Sequence, residues 1–195
     1  MLIAEIGMNH NGDVSLGMEM IHAAAESGAD VVKIQTFNTN KFLSKSFPDY
    51  STRKNYELNK QDHEKLLNYS LDCGVQFLST PFDHDSVDML NDLGVGAFKI
   101  ASADLSNTPL LNKVMETGKP IILSTGYSTT SEIFKTYEFL KYGKLNPLCI
   151  MHCVASYPTQ DKDVNLLNIP SISSMFEKAV VGFSDHSLDS ELIPS

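Results

Sequence analysis

Cysteine is scarce in this chain, with Cys73, Cys149 and Cys153 the three among 195 residues. They lack the paired spacing of zinc sites, and an odd count makes no disulfide framework, so a reducing, cytoplasmic setting is expected. No apolar run approaches the roughly 20 residues needed to span a bilayer. The opening residues carry no basic stretch ahead of a long apolar one, so no signal peptide is expected either. Positive charge is also short. Lys and Arg number 15 against 24 Asp and Glu, a net charge of -9. That balance disfavours nucleic acid or an anionic membrane surface as the main partner. An anionic small molecule is not disfavoured, because local lysines outweigh a global sign. There is no low-complexity tract, no internal repeat and no linker between domains. With 42% hydrophobic residues, the chain has enough apolar material for one substantial core.

The residues present form short apolar runs that each end in polar groups. Leu2-Ile3-Ala4 leads into Glu5, and Val31-Val32 into Lys33 and Gln35. Val75 to Leu78 leads into Ser79-Thr80-Pro81, and Ala97-Phe98 into Lys99, Ser102 and Asp104. Ile121 to Leu123 precedes Ser124-Thr125-Gly126, Leu148 to Met151 precedes His152-Cys153, and Val180 to Phe183 precedes Ser184-Asp185-His186. Segments of helical period lie between the runs, which predicts an α/β fold of β-α units with a parallel sheet. In such folds the chemistry gathers at the carboxyl ends of the strands. Seven strand ends that carry reactive groups point to an enzyme.

The helices have local signals. Asp13 caps the first, whose face is Val14, Gly17, Met18, Ile21, Ala24 and Ala25, and Gly28 stops it. Leu66, Leu67, Ser70 and Leu71 mark a second that ends at Gly74, and a third runs from Ser86 to Leu93. Pro109 belongs in the first turn of a fourth, after Asn107-Thr108. A capping box from Thr129 to Glu132 opens a fifth, with Ile133, Phe134, Tyr137 and Leu140 as its buried stripe. A sixth surrounds Leu167 to Phe176, interrupted by Pro170. The segment from Thr36 to Gln61 is long, polar and flecked with aromatics, which predicts a functional lid or disorder. Seven strands fall one short of a (β/α)8 TIM barrel, which typically has about 250 residues. The alternatives are an open doubly wound sheet and a barrel that is incomplete in this chain.

The segment Ile3-Ala4-Glu5-Ile6-Gly7-Met8-Asn9-His10-Asn11-Gly12 resembles the opening motif of the sialic acid (N-acetylneuraminate) synthase family. The likeness continues through Gly28 to Thr36, Ser79-Thr80-Pro81-Phe82, Lys99-Ile100-Ala101-Ser102 and Leu123-Ser124-Thr125-Gly126. His152-Cys153, Tyr157-Pro158 and Gly182 to His186 complete it, so it covers nearly the whole chain. The resemblance implies that residues 1–195 are part of a catalytic (β/α)8 barrel of about seven β-α units, without the family's C-terminal antifreeze-like domain. It implies condensation of phosphoenolpyruvate with an N-acylated amino sugar aldehyde, N-acetylmannosamine or a related sugar. The products would be phosphate and a sialic or other nonulosonic acid. A divalent metal, Mn2+ or Mg2+, and a homodimer of the full-length protein are also implied.

By that resemblance Lys33, Thr80, Lys99, Ser102, Ser124 and Ser184 bind phosphoenolpyruvate. Glu5 and Asp104 are the catalytic carboxylates, Gln35 and Tyr157 bind the sugar, and His186 is a metal ligand. The chemistry suits them, since a phosphate and a carboxylate call for cations and hydroxyl donors. Structural roles compete. Ser79, Thr80, Ser124 and Thr125 also suit turns that cap strands, His10 suits a turn, His152 a satisfied structural position and Cys153 a small core residue. The chain departs from the family in lacking the second metal histidine, and in carrying Ala155 where an asparagine can contact phosphoenolpyruvate. Val154 to Tyr157 looks closer to relatives that make other bacterial nonulosonic acids. Poor activity is therefore expected of these 195 residues alone. Two other readings stand beside the synthase: a Schiff-base aldolase using Lys33 or Lys99, and a non-catalytic remnant that binds a ligand.

Overall fold

The computed structural model describes residues 1–143 and 147–188. They form two compact units, Met1–Phe98 and Lys99–Ser195. The first runs β1 (Ile3–Gly7), α1 (Val14–Glu26), β2 (Val31–Thr36), α2 (Thr39–Phe42), α3 (Tyr50–Tyr56), α4 (Lys60–Asp72), β3 (Gln76–Pro81) and α5 (His84–Asp92). Its sheet has the order β1-β2-β3, and both pairings are parallel. Ile3 lies beside Val31, Glu5 beside Lys33 and Gln35 beside Thr80. Because side chains alternate, Glu5, Lys33, Gln35 and Thr80 share one face of this sheet. Val32, Ile34 and Phe77 take the other and are buried, as are Ile21 of α1 and Leu66 of α4. Each large apolar side chain removed from water in this way contributes about 1.5–3 kcal/mol.

The local signals account for most helix ends. The Asp13 carboxylate accepts from the amides of Ser15 and Leu16 at the start of α1. Asp83 does the same for Ser86, so α5 begins at His84 rather than Ser86. A second capping box, Asn59 with Asp62, opens α4 and sets its start well before the apolar residues that mark it in the sequence. Leu71 is half exposed, against expectation, because the buried stripe of α4 runs through His63, Leu66 and Ser70.

Of the two expectations for the segment from Thr36 to Gln61, a functional lid or disorder, the second is set aside, because the segment is ordered. Phe37, Phe42 and Phe82 cluster with ring centroids 4.9 to 6.5 Å apart. The Thr39 amide and hydroxyl both donate to Glu57, and the Asn38 amide donates to Asp83. Phe37 is buried and Phe42 packs beside it against Phe82, a cluster invisible to a search for period because α2 and α3 are too short to show one.

Below the helices lies a buried polar chain. His63 Nδ1 faces the Asn59 carbonyl at 2.9 Å and must donate, so Nε2 accepts from the Thr36 hydroxyl at 2.8 Å. Ser79 Oγ is 2.6 Å from Thr36 Oγ1. Burial holds the His63 pKa below its ordinary value, which keeps the ring neutral and able to accept. Thr36→Val keeps the shape and removes the hydroxyl, so a loss of about 1–3 kcal/mol is expected from stranding the imidazole. Urea unfolding that gives an unchanged midpoint would show the chain contributes nothing.

The second unit runs β4 (Phe98–Ile100), a 3-10 turn at Ser102–Asp104, α6 (Thr108–Met115), β5 (Ile121–Ser124) and α7 (Thr130–Tyr142). It continues with β6 (Leu148–Cys153), a 3-10 turn at Asp161–Asp163, α8 (Asn168–Met175) and β7 (Val180–Ser184). The sheet order is β4-β5-β6-β7, with β5 to β7 parallel. Pro109 sits in the first turn of α6, and the Thr129–Glu132 capping box opens α7, both as expected. Phe134 is 54% exposed and Thr136 is buried in its stead. Pro170 does not interrupt α8. It is the helix's third residue, where its missing N–H costs nothing.

Candidate functional site

In the first unit Glu5 and Lys33, neighbours across β1 and β2, form an ion pair. The lysine side chain is 12% exposed and the carboxylate 46%. Gly7 makes room for that carboxylate, since a Cβ there would stand 3.2 Å from Glu5 Oε1, and its φ of +61° suits glycine. Gln35 and the buried Thr80 lie side by side two residues further along the same face, towards the carboxyl ends. Four of the expected residues are thereby gathered by register alone.

The second unit gathers another set. Lys99 is buried, and its Nζ donates to Ser124 Oγ at 2.5 Å and to the Ile100 carbonyl at 3.0 Å. Among the described residues no carboxylate pairs with it. Burial lowers its pKa to about 8, against a smaller upward pull from the thiols of Cys153 and Cys149. Ser102, in the turn after β4, accepts from the Gly126 amide at 2.9 Å and lies 3.4 Å from Cys153 Sγ. Cys153 is in turn beside Ser184 across β6 and β7. Lys99, Ser102, Ser124 and Ser184 therefore sit at the carboxyl ends of strands in one sheet. A buried ammonium held by a hydroxyl and a carbonyl, at strand ends that carry further serines, is an arrangement suited to an anion.

The remaining residues lie in the loops that follow. Asp104 is half-buried and accepts from Asn107 Nδ2 at 2.9 Å. Burial raises its pKa, and that hydrogen bond opposes the rise. His186 Nδ1 donates to the Val154 carbonyl at 2.8 Å, which leaves Nε2 with its lone pair. Its ring lies 4.3 Å from that of Tyr157, which is 73% exposed. Among the described residues no group of three or more histidine, cysteine or acidic side chains is placed to hold a metal ion.

His152 takes the satisfied structural position expected of it: Nε2 donates to the Val164 carbonyl at 2.8 Å and the ring stacks on Phe183. His10 is buried in the turn after β1, with Nδ1 accepting from the Gly12 amide. Two contributors escaped the sequence reading. Gly126 orients Ser102 through its amide, and Cys153 closes the gap between Ser102 and Ser184. The glycine of the Ser-Thr-Gly motif was a visible signal for the first. The thiol gave none.

Residues 20–193 match the family model described as the NeuB family. An uncharacterized protein of Methanocaldococcus jannaschii is 44% identical, over 96% of this chain and 55% of its own length. The N,N'-diacetyllegionaminic acid synthase of Campylobacter jejuni is 40% identical, over 95% of this chain and 60% of its own. The crystal structure of an N-acetylneuraminic acid synthetase from Leptospira borgpetersenii, in complex with citrate, superposes with a TM-score of 0.91 at 35% identity, covering 95% of this chain and 65% of that one. The chain thus spans little more than half the length of the curated relatives it matches. The likeness also bears out the α/β class and is consistent with an incomplete (β/α)8 barrel, with seven strands among the described residues. The chain belongs to the NeuB family, the sialic acid synthases that its motifs resemble.

Proposed function

We propose that the full-length protein condenses phosphoenolpyruvate with an N-acylated amino sugar aldehyde, adding water and releasing phosphate to give a nonulosonic acid. The observation that carries this reading is the buried Lys99 ammonium, which has hydroxyl and carbonyl partners and, among the described residues, no neutralising carboxylate. Burying an uncompensated charge is costly, and an anion beside it removes much of that cost. Lys99 and Ser124 would bind the phosphate or carboxylate of phosphoenolpyruvate, with Ser102 and Ser184 completing the ring of donors. The family motifs assign Lys33 and Thr80 to phosphoenolpyruvate as well, and Gln35 and Tyr157 to the sugar.

The bond forms between the enol carbon and the aldehyde carbon. Asp104, whose burial favours the protonated acid, would hand its proton to the new alkoxide. Glu5 would take the proton of the attacking water as phosphate departs. His186 fits a metal ligand because the Val154 carbonyl fixes its Nδ1 proton and leaves Nε2 to bind. A divalent Mn2+ or Mg2+ held there would supply Lewis-acid polarisation of the aldehyde oxygen.

The assay is phosphate release by the purified full-length protein with phosphoenolpyruvate, Mn2+ and N-acetylmannosamine or related N-acylated sugars. Phosphate formed in step with a new sugar acid is expected. Phosphoenolpyruvate left intact with every such sugar, under conditions where a relative turns over, would overturn the reading. One observation favours a second reading: an amine with a pKa of about 8 is also suited to form an imine. Borohydride trapping of a carbonyl substrate on Lys99 would then replace phosphate release as the positive result.

A further inference from the structure

His10 carries a buried polar atom that the fold leaves without a partner. The residue is 1% exposed, in the turn between β1 and α1. Its Nδ1 accepts from the Gly12 amide at 3.0 Å, so the proton of the neutral ring is on Nε2. Nε2 is buried with no hydrogen-bond partner, the single such side-chain atom among the described residues. Buried donors are nearly always satisfied, so an orphaned one marks a constraint other than stability. Accepting from an amide two residues on does not require an imidazole. Asparagine does it with its side-chain oxygen in an Asx turn, and asparagine does not titrate.

The bond holds the seat of α3. Gly12 has no other acceptor for its amide among the described residues. The backbone of Asn55 lies so close to Gly12 that a Cβ there would run into the Asn55 carbonyl oxygen. Four residues earlier in the same turn, Met8 Sδ meets the Arg53 guanidinium of α3 at 2.7 Å. His10 lies midway between these two contacts. Behind it, a Cβ on Gly17 of α1 would stand 3.6 Å from His10 Cβ and 3.0 Å from Leu66 Cδ2 of α4. The charged and titratable groups of these elements are engaged elsewhere. Glu5 pairs with Lys33, Asp13 caps α1, Lys54 pairs with Glu57, Asp62 accepts from the Asn59 amide, and His63 is held between Asn59 and Thr36. The other charged residues of α1 and α4 are exposed. Burial holds the His10 pKa below its ordinary value.

We propose that His10 is a positioning residue for α3: its neutral ring fixes the turn after β1 as the seat of that helix, and a proton on the ring releases the two. A protonated imidazole has hydrogen on both nitrogens and no lone pair, so the Gly12 amide loses its acceptor whichever way the ring is turned. In the released form the ring reaches water and takes its proton as an ordinary histidine does. Release therefore becomes easier as pH falls below about 6.5, by up to about tenfold for each pH unit. With α3 gone, the turn that follows Glu5 is uncovered and turnover falls; that last step alone rests on the synthase reading.

The test compares the full-length wild type with His10→Asn by amide hydrogen exchange at pH 7.5 and pH 5.5, corrected for the intrinsic pH dependence of exchange. Protection of Gly12 and of Tyr50–Tyr56 is expected to fall by up to about tenfold in the wild type at the lower pH and to hold in His10→Asn. The acid limb of kcat/KM for phosphoenolpyruvate should likewise be steeper in the wild type than in the variant. Wild-type protection that is the same at both pH values, or that falls equally in the two proteins, would overturn the proposal. Should His10→Asn fail to fold, α4 decides in the wild type, because His63 is the other buried histidine of this unit. A loss shared by Lys60–Asp72 would assign the effect to His63 and overturn the proposal, and a loss confined to Gly12 and α3 would uphold it. Exchange as expected without condensation at any pH would overturn the synthase reading and leave the latch standing.

Discussion

Lys99→Met in the full-length protein is expected to weaken phosphoenolpyruvate binding by about 10- to 150-fold, the worth of one charge-assisted contact of about 1.5–3 kcal/mol. The same change is expected to make the fold more stable at neutral pH. The reason is linkage. The amine goes from a pKa of 10.5 in the unfolded chain to about 8 in the folded one. The unfolded state therefore binds more protons between those values, and stability rises with pH across that window. Above 10.5 both states are neutral and no penalty exists; as pH falls through about 8 the full cost of burying the charge, about 3 kcal/mol, is present. Methionine has no charge to bury, so the variant should lack the pH-dependent gain that the wild type shows in urea unfolding at pH 7 and pH 10. In the wild type, kcat/KM for phosphoenolpyruvate should also decline above about pH 8, as the ammonium deprotonates. Equal stability of both proteins at both pH values, with unchanged affinity, would show Lys99 to be an ordinary core contact. A residue that costs stability and confers binding is what a functional site looks like energetically.

How much of this was legible in the sequence depends on the range of the interaction. Asp13, Pro109 and the Thr129–Glu132 box act within one helical turn, and each was readable because both partners are close in sequence. The Asn59–Asp62 box has the same range but was passed over, since Asn-x-x-Asp is a less familiar form of the motif and lies ahead of the apolar stripe. Phe134 and Leu71 fit a helical period and are nevertheless half exposed or more, because period gives a face and not its depth. The residues of the candidate site were found by position at strand ends and by family motif. The partnerships among them were not. Lys99 with Ser124 and Ser102 with Gly126 span 25 and 24 residues, and they follow from register between strands that no local rule supplies. The difference between the two lysines was equally hidden: Lys33 faces Glu5 across β1 and β2, while Lys99 faces the Ser124 hydroxyl and the Ile100 carbonyl.

Gly12→Ala is expected to be the most damaging of the single glycine replacements in the first unit, and its cause can be isolated. Gly12 has φ +81°, and a Cβ there would run into the Asn55 carbonyl oxygen and stand 3.2 Å from the carbonyl carbon and 3.5 Å from Tyr56 Cα. The neighbours are backbone at the end of α3, which cannot rotate aside as a flexible side chain can. Gly28 offers the control, with φ +86° and nothing within 4 Å of its Cβ position. Gly28→Ala should therefore lose only what the left-handed conformation costs a residue with a Cβ, about 1–2 kcal/mol. Gly12→Ala should lose that and the clash as well, on the order of 3 kcal/mol or more unless α3 lifts away. If α3 lifts, it takes Arg53 off Met8 and exposes the turn that follows Glu5. Two measurements separate these outcomes: urea unfolding gives the stability loss, and amide hydrogen exchange across Tyr50–Tyr56 reports whether α3 has undocked. Equal losses in the two variants, with exchange in α3 unchanged, would mean that the close approach of Gly12 to Asn55 is not a constraint of the fold.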